Sequence, residues 1–198
     1  NSPRQRPNRR SSDPTRITFL GGLHWPPNRD GILWFFQNVW LHLERQLPSA
    51  VLTVIGKHPP RQLTRYAAKS HRLDVTGYVE DLAPYLEETA VFIIPLRAGG
   101  GMRVKILDAW RWGLPIVSTV IGAEGMCVED GSNLLLANSA REFSRAVLRV
   151  FEDPKLGSSL AKSGQETLKN HYSWRLAYSS WQEVYPCESY SSSRMRQA

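Results

Sequence analysis

Residues 91–108 read VFIIPLRAGGGMRVKILD. A short apolar run of strand character, 91–95, gives way to Gly99, Gly100 and Gly101, and a helix-forming stretch over 102–112 follows at once. Glycines let backbone N–H groups approach a ligand closely, and the start of a helix adds about half a positive charge. Arg97, Arg103 and Lys105 place three cations around the same point. The arrangement suits an anion of the size of a diphosphate. The loop follows neither the G-x-x-x-x-G-K-[ST] nor the G-x-G-x-x-G spacing of the common phosphate motifs, so the expectation rests on its position after a core strand.

The same alternation runs through the chain on both sides. Strands are expected at residues 16–21 (RITFLG), 51–56 (VLTVIG), 73–76, 91–95 and 115–119, and a turn at 130–133 precedes an apolar stretch at 134–136. Between them, apolar residues at helical spacing predict a helix from Asn28 to Leu47, a short one at 60–70 and another capped by Asp81. Three helices close the chain at 139–151, 154–170 and 173–185, two of them opening on a serine in the capping position. Strands alternating with helices imply right-handed crossovers and a parallel sheet covered on both faces. The fold class is α/β, a Rossmann-like doubly wound sheet, over residues 16–186, with tails at 1–15 and 187–198. Ligands of such sheets bind beyond the C-terminal strand ends, which selects the loops 21–28, 56–60, 77–81 and 96–103.

Composition narrows the function. A chain of 198 residues with 41% hydrophobic and 22% charged residues fits one well-built domain. No apolar run reaches membrane-spanning length, and the polar, Arg-rich N-terminus carries no signal-peptide pattern. The two cysteines, Cys127 and Cys187, are too few for a disulfide scaffold or a cysteine-based zinc site, and suit a reducing, cytoplasmic compartment. The net charge of +7 points to an anionic partner until the charges are located. Arg4, Arg6, Arg9, Arg10 and Arg16 lie in or next to one tail and Arg194 and Arg196 in the other, so no nucleic-acid partner is expected.

Asp108 shares the helix of Lys105 three residues on, a spacing that sets the two side by side. Its carboxylate is either an ion-pair partner of Lys105 or an acceptor for the hydroxyls of a ribose. The string PLRAGGGMRVKILDAWRWGLPIVSTVIGAEGM, residues 95–126, resembles the hallmark segment of retaining glycosyltransferases of the GT-B fold, group 1 or family-four type. The segments FLGGLHWPPNRDGILWF, VTGYVEDLAPYLEETAVFIIPL and HYSWRLAYSSWQEVY resemble the first, middle and last parts of the same domain, in the family's order.

The resemblance implies the donor-binding half of a two-domain enzyme that transfers a sugar from a nucleoside diphosphate sugar to an acceptor hydroxyl with retention. The N-terminal acceptor-binding domain would be supplied outside this chain, as would any peripheral contact with the cytoplasmic face of a membrane. No metal or other cofactor is expected, since no Asp-x-Asp motif occurs. Arg103 and Lys105 are implied as the groups that neutralise the departing diphosphate. Arg97 and the amides of Gly99, Gly100 and Gly101 would hold phosphate or sugar hydroxyls, with Gly22 in the first loop, and Asp108 would hold the ribose. Tyr78 and Val79 fall where backbone groups meet the base, and Glu124 would face the sugar or cap the next segment. Two positions depart from the pattern. The first acidic position of the family's Glu-x7-Glu motif is Gly100, and the second is Asp rather than Glu. The first loop also lacks the usual Arg and Lys, with His24, Asn28 and Arg29 nearby instead. A non-catalytic nucleotide-sugar-binding or scaffold domain of the same fold is the alternative.

Overall fold

The computed structural model describes Ser11 and residues 14–101 and 103–172. Met102, residues 1–10 and 12–13 of the N-terminal tail, the C-terminal tail with Cys187, and the final expected helix with Trp174 and Trp181 lie outside the described residues. Six strands form one parallel sheet in the order β3-β2-β1-β4-β5-β6. They are β1 (Arg16–Leu20), β2 (Val51–Ile55), β3 (Leu73–Gly77), β4 (Thr89–Ile94), β5 (Ile116–Ser118) and β6 (Leu135–Leu136). The five expected strands thus form, and a sixth of two residues lies in the apolar stretch at 134–136.

β4 lies in the middle of the sheet, and all six of its residues are buried. Its side chains alternate between faces, as the two-residue period of a strand requires. Val91 and Ile93 join one core with Ile17, Phe19 and Val54, covered by α1 (Pro26–Phe35), α2 (Leu41–Gln46) and α6 (Ala140–Glu152). Phe92 and Ile94 join a second core with Leu86 of α4 (Ala83–Glu87) and with Ile106 and Trp110 of α5 (Val104–Arg111). α3 (Arg61–Ala67) sends Leu63 into the first core, and α7 (Pro154–His171) packs across α5 and α6. An apolar run with no polar alternation is what a strand buried on both faces needs.

The helix ends follow local chemistry. Ser139 and Glu142 form a reciprocal capping box at α6, at 3.2 and 3.0 Å. Asp81 accepts the Ala83 N–H at 3.0 Å where α4 begins, the capping role expected of it. Three expectations are corrected. The helix expected from Asn28 to Leu47 is α1 and α2 separated by a π-helical turn, Phe36–Trp40, which re-aims Val39 and Trp40 into the core. α5 starts at Val104 rather than 102, because the preceding residue, Arg103, has non-helical backbone angles. Arg16, grouped above with the tail charges, belongs to β1, where it bonds Asp74 and Glu88 at 2.8 and 2.7 Å. Among the described residues no helix is long and apolar enough to cross a membrane.

Candidate functional site

The chain direction of the crossovers reverses between β1 and β4, and their C-terminal ends open the crevice where such sheets take ligands. One wall is the loop after β1. Its Gly21 N–H donates to Ile55 O at 2.9 Å and its Leu23 N–H to Lys57 O at 2.9 Å. Gly56 in turn donates to Gly77 O at 2.8 Å, so the first three loops are laced together. A Cβ on Gly56 would fall 1.9 Å from Gly21 O, and only glycine permits that approach.

The opposite wall is the glycine loop after β4. Gly99 and Gly101 have φ of +113° and +91°, which side-chain-bearing residues rarely adopt. Arg103, 5% exposed, lies behind the loop. Its guanidinium donates to Gly99 O at 2.8 Å, Gly100 O at 3.2 Å and Ile121 O at 2.8 Å, and Glu124 stands 3.5 Å away. Among the described residues its Nε is buried without a partner. In a trans peptide the N–H points opposite to the preceding C=O. Carbonyls 99 and 100 turned to Arg103 therefore direct the amides of Gly100 and Gly101 to the other side. Gly100 has open space around its Cβ position and an ordinary φ, so packing does not demand glycine there.

Lys105, on the first turn of α5, reaches across the crevice to the first loop. Its Nζ donates to Asn28 Oδ1 and sits 4.9 Å from the Phe19 ring centre. Asn28 is buried and passes its own Nδ2 hydrogen to Gly22 O at 2.9 Å. A Cβ on Gly21 would come within 2.6 Å of the ammonium. Burial, and next the charge of Arg103, lower the Lys105 pKa to about 8. This cation is desolvated and lies at the strand-order reversal, beside the glycines of the first loop.

The remaining expected residues are placed as follows. Lys105 and Asp108 do not pair: Lys105 turns to Asn28, and Asp108 faces a pocket of about 220 Å³ between α4 and α5. That pocket is walled by Leu20, Leu82, Leu86, Phe92 and Trp112. Partial burial raises the Asp108 pKa, against a smaller opposing effect of Arg111. Arg97 is not brought to the glycine amides. It forms a two-pronged pair with Asp30 of α1, both bonds 3.0 Å. Glu124 is largely exposed beside Arg103. Tyr78 is exposed and Val79 partly buried on the third loop. His24 lies over Gly22, with its ring centre 5.9 Å from that of His58. Lys57, whose Nζ stands 4.5 Å from the Tyr78 ring centre, has no motif of its own in the sequence. Its apposition to Tyr78 comes from the pairing of β2 with β3.

A six-stranded parallel sheet with helices on both faces defines a Rossmann-like, doubly wound class of domain. The family model for glycosyl transferases group 1 matches residues 14–153, and the chain belongs to that family. The lipopolysaccharide core biosynthesis glycosyltransferase LpsE of Rhizobium meliloti is 29% identical over 134 residues, covering 65% of this chain and 39% of that protein. Among solved structures, the C-terminal domain of the group 1 glycosyl transferase LpcC from Francisella tularensis superposes with a TM-score of 0.67 at 17% identity, covering 81% of this chain and 87% of that one. Anabaena HepE, solved with UDP and glucose, gives a TM-score of 0.68 at 15% identity, covering 89% of this chain and 49% of that one. The chain spans less than half the length, 44% and 39%, of the first two curated relatives it matches. Its fold is the Rossmann-like sheet of one half of a GT-B glycosyltransferase.

Proposed function

We propose that this chain is the donor-binding domain of a glycosyltransferase, and that the crevice between β1 and β4 holds the diphosphate of a nucleoside diphosphate sugar. The observation that carries the reading is Lys105, a partly buried ammonium held between Asn28 and Gly21 of the first loop. A cation fixed in a poorly solvated site and aimed at a leaving diphosphate stabilises charge that grows as the sugar departs. The N-terminus of α5 adds its dipole. Arg103 acts by fixing the glycine loop and by its charge. Asp108, at the mouth of the α4/α5 pocket, accepts the ribose hydroxyls. In the whole enzyme an acceptor-binding domain faces this crevice, and the sugar is transferred with retention to a hydroxyl of the acceptor. The Francisella domain of matching extent and the coverage of the curated relatives support that division.

Titration calorimetry of the 198-residue chain with UDP, GDP and ADP, repeated on Lys105→Ala, tests the site. Loss of affinity of about tenfold or more for every nucleotide is expected, the scale of a charge-assisted contact. Unchanged binding after the substitution removes the proposal. The open space at Gly100, in place of a sugar-binding carboxylate, favours one second reading, a domain that binds nucleotide sugar without transfer. Release of free nucleotide by the whole protein, or its absence with donor bound, separates the two.

A further inference from the structure

We infer that His24 and His58 form a binding site for a divalent transition-metal cation that bridges the first two loops. The inference stands apart from the donor-binding reading, and either can fail without the other.

His24 belongs to the loop after β1 and His58 to the loop after β2, and both are exposed. Their ring centres lie 5.9 Å apart with the planes at 88°. Two surface histidines are ordinarily two solvated rings. Here the backbone brings them together and holds them. β1 and β2 pair in parallel as far as Leu20 and Ile55. The lacing continues beyond the strand ends, Gly21 N–H to Ile55 O and Leu23 N–H to Lys57 O, both 2.9 Å. The next residue on each loop is the histidine. Trp25 N–H closes a turn on Gly22 O at 3.3 Å around His24. Pro59 and Pro60 follow His58, and Pro60 is buried where α3 begins. Among the described residues His58 is the only side-chain-bearing residue with a positive φ, +60°. That conformation is unfavourable for such residues and persists where the surroundings impose it.

Among the described residues neither ring has a hydrogen-bond partner. Each imidazole offers a nitrogen lone pair, a donor that suits zinc, nickel, cobalt and copper ions. With metal–nitrogen bonds of about 2.0–2.1 Å and a tetrahedral angle, two imidazoles on one cation have ring centres about 5 Å apart. His24 and His58 need only approach by less than about 1 Å, a small rotation for two exposed side chains. Among the described residues no third His, Cys, Asp or Glu completes the group, so water takes the remaining positions. Lys57 sets its Nζ 4.5 Å from the Tyr78 ring centre, which draws its charge toward the third loop. Two nitrogens without a carboxylate discriminate against magnesium and calcium, which take oxygen ligands. The lack of an Asp-x-Asp motif bears on such oxygen-bound cations and not on this pair. A cation held by both rings ties the first loop to the second and stabilises the fold by binding the folded chain alone.

Calorimetry near neutral pH with nickel, zinc and magnesium chlorides on the wild-type chain, His24→Ala, His58→Asn and His71→Ala tests the site. Asparagine tolerates the left-handed backbone of His58, so that substitution removes the imidazole without adding strain. His71, exposed and outside the pair, is the control. The wild-type chain is expected to bind a single nickel or zinc ion and to melt at a higher temperature with nickel than without it. His24→Ala and His58→Asn each lower nickel affinity at least about tenfold and abolish the rise in melting temperature. His71→Ala changes neither, and magnesium does not bind. Nickel binding that survives either substitution of the pair overturns the inference. So does magnesium binding as tight as that of nickel, or a wild-type chain that binds neither nickel nor zinc. Paramagnetic broadening of histidine ring resonances by trace nickel reads the site in the wild-type chain, whatever the variants do to folding. Broadening of the His24 and His58 resonances is expected, and broadening confined to other histidines overturns the inference.

Discussion

Raising the pH from 7 to 9 should weaken nucleotide binding and, over an overlapping interval, strengthen the fold. Both effects come from Lys105, whose pKa is lowered from 10.5 to about 8, first by burial and then by Arg103. At pH 7 the ammonium form is roughly nine-tenths populated, and at pH 9 roughly one-tenth. A bound diphosphate should supply counter-charge to the ammonium and return the pKa toward its ordinary value. The dissociation constant should thus be nearly flat up to pH 7.5 and about tenfold larger at pH 9, a difference of about 1.4 kcal/mol. For folding the sign is opposite. The folded-state pKa lies below the unfolded one, so between about 8 and 10.5 the unfolded chain holds a proton that the folded chain has released. Stability is gained as pH rises through that interval and lost as it falls back through 8. The full gap corresponds to about 3 kcal/mol. Calorimetry at pH 9 in two buffers of different ionisation enthalpy should show proton uptake on binding GDP or UDP. Urea titrations should show a rise in stability from pH 8 to 9.5 that is absent in Lys105→Met. Equal dissociation constants at pH 7 and 9 with no proton uptake would refute the reasoning, because the ammonium would then not be the group the phosphate meets.

Three substitutions separate the parts of the site. Asn28→Ala leaves the Lys105 ammonium and Gly22 O without their shared partner, so urea midpoints should report a loss of about 1–3 kcal/mol. The pH at which nucleotide affinity halves should also move below that of the wild-type chain. Arg103→Lys keeps the charge but loses the fork that spans Gly99 O, Gly100 O and Ile121 O. It should cost about 2 kcal/mol in stability and weaken every nucleotide, whereas Lys105→Ala should weaken binding without lowering the melting temperature. Gly101→Ala, at φ +91°, should cost at least about 1 kcal/mol, while Gly100→Ala, in open space, should stay within about 0.5 kcal/mol by thermal melting.

The sheet was legible because each of its central strands is an apolar run too short for a helix and closed by glycine or proline. Residues 91–94 of β4 bury both faces, so no alternation was needed to recognise them. The π-helical turn at Phe36–Trp40 was not legible. One residue inserted into a helix shifts the apolar stripe by less than the stripe's own width, and Val39 and Trp40 read as helical core either way. The serine cap of α6 was legible because it is local, and the structure adds Glu142, three residues on, as the other half of a capping box. The contact between Asn28 and Lys105 spans 77 positions and depends on which way one flexible side chain turns. Helical spacing gave Lys105 a neighbour in Asp108 but not the rotamer, and the apolar floor at Phe19 with the amide of Asn28 decided against that neighbour.

The same distinction orders the cations of the glycine loop, which the sequence presents as three equivalents. Arg97 is spent on Asp30 at the surface, a pair about half exposed and worth under about 1 kcal/mol, so losing it should matter little to either fold or ligand. Arg103 is buried against three carbonyls, and its removal would unmake the loop before it removed a charge. Of the three, Lys105 combines partial burial, a lowered pKa and a position beside the first-loop glycines, and its hydrogen bond among the described residues goes to a neutral amide. A neutral partner leaves the charge uncompensated. On the donor-binding reading, the diphosphate of the donor recovers the cost of holding such a charge out of water. That is why the pH dependence of binding and the pH dependence of folding should run in opposite directions through the same residue.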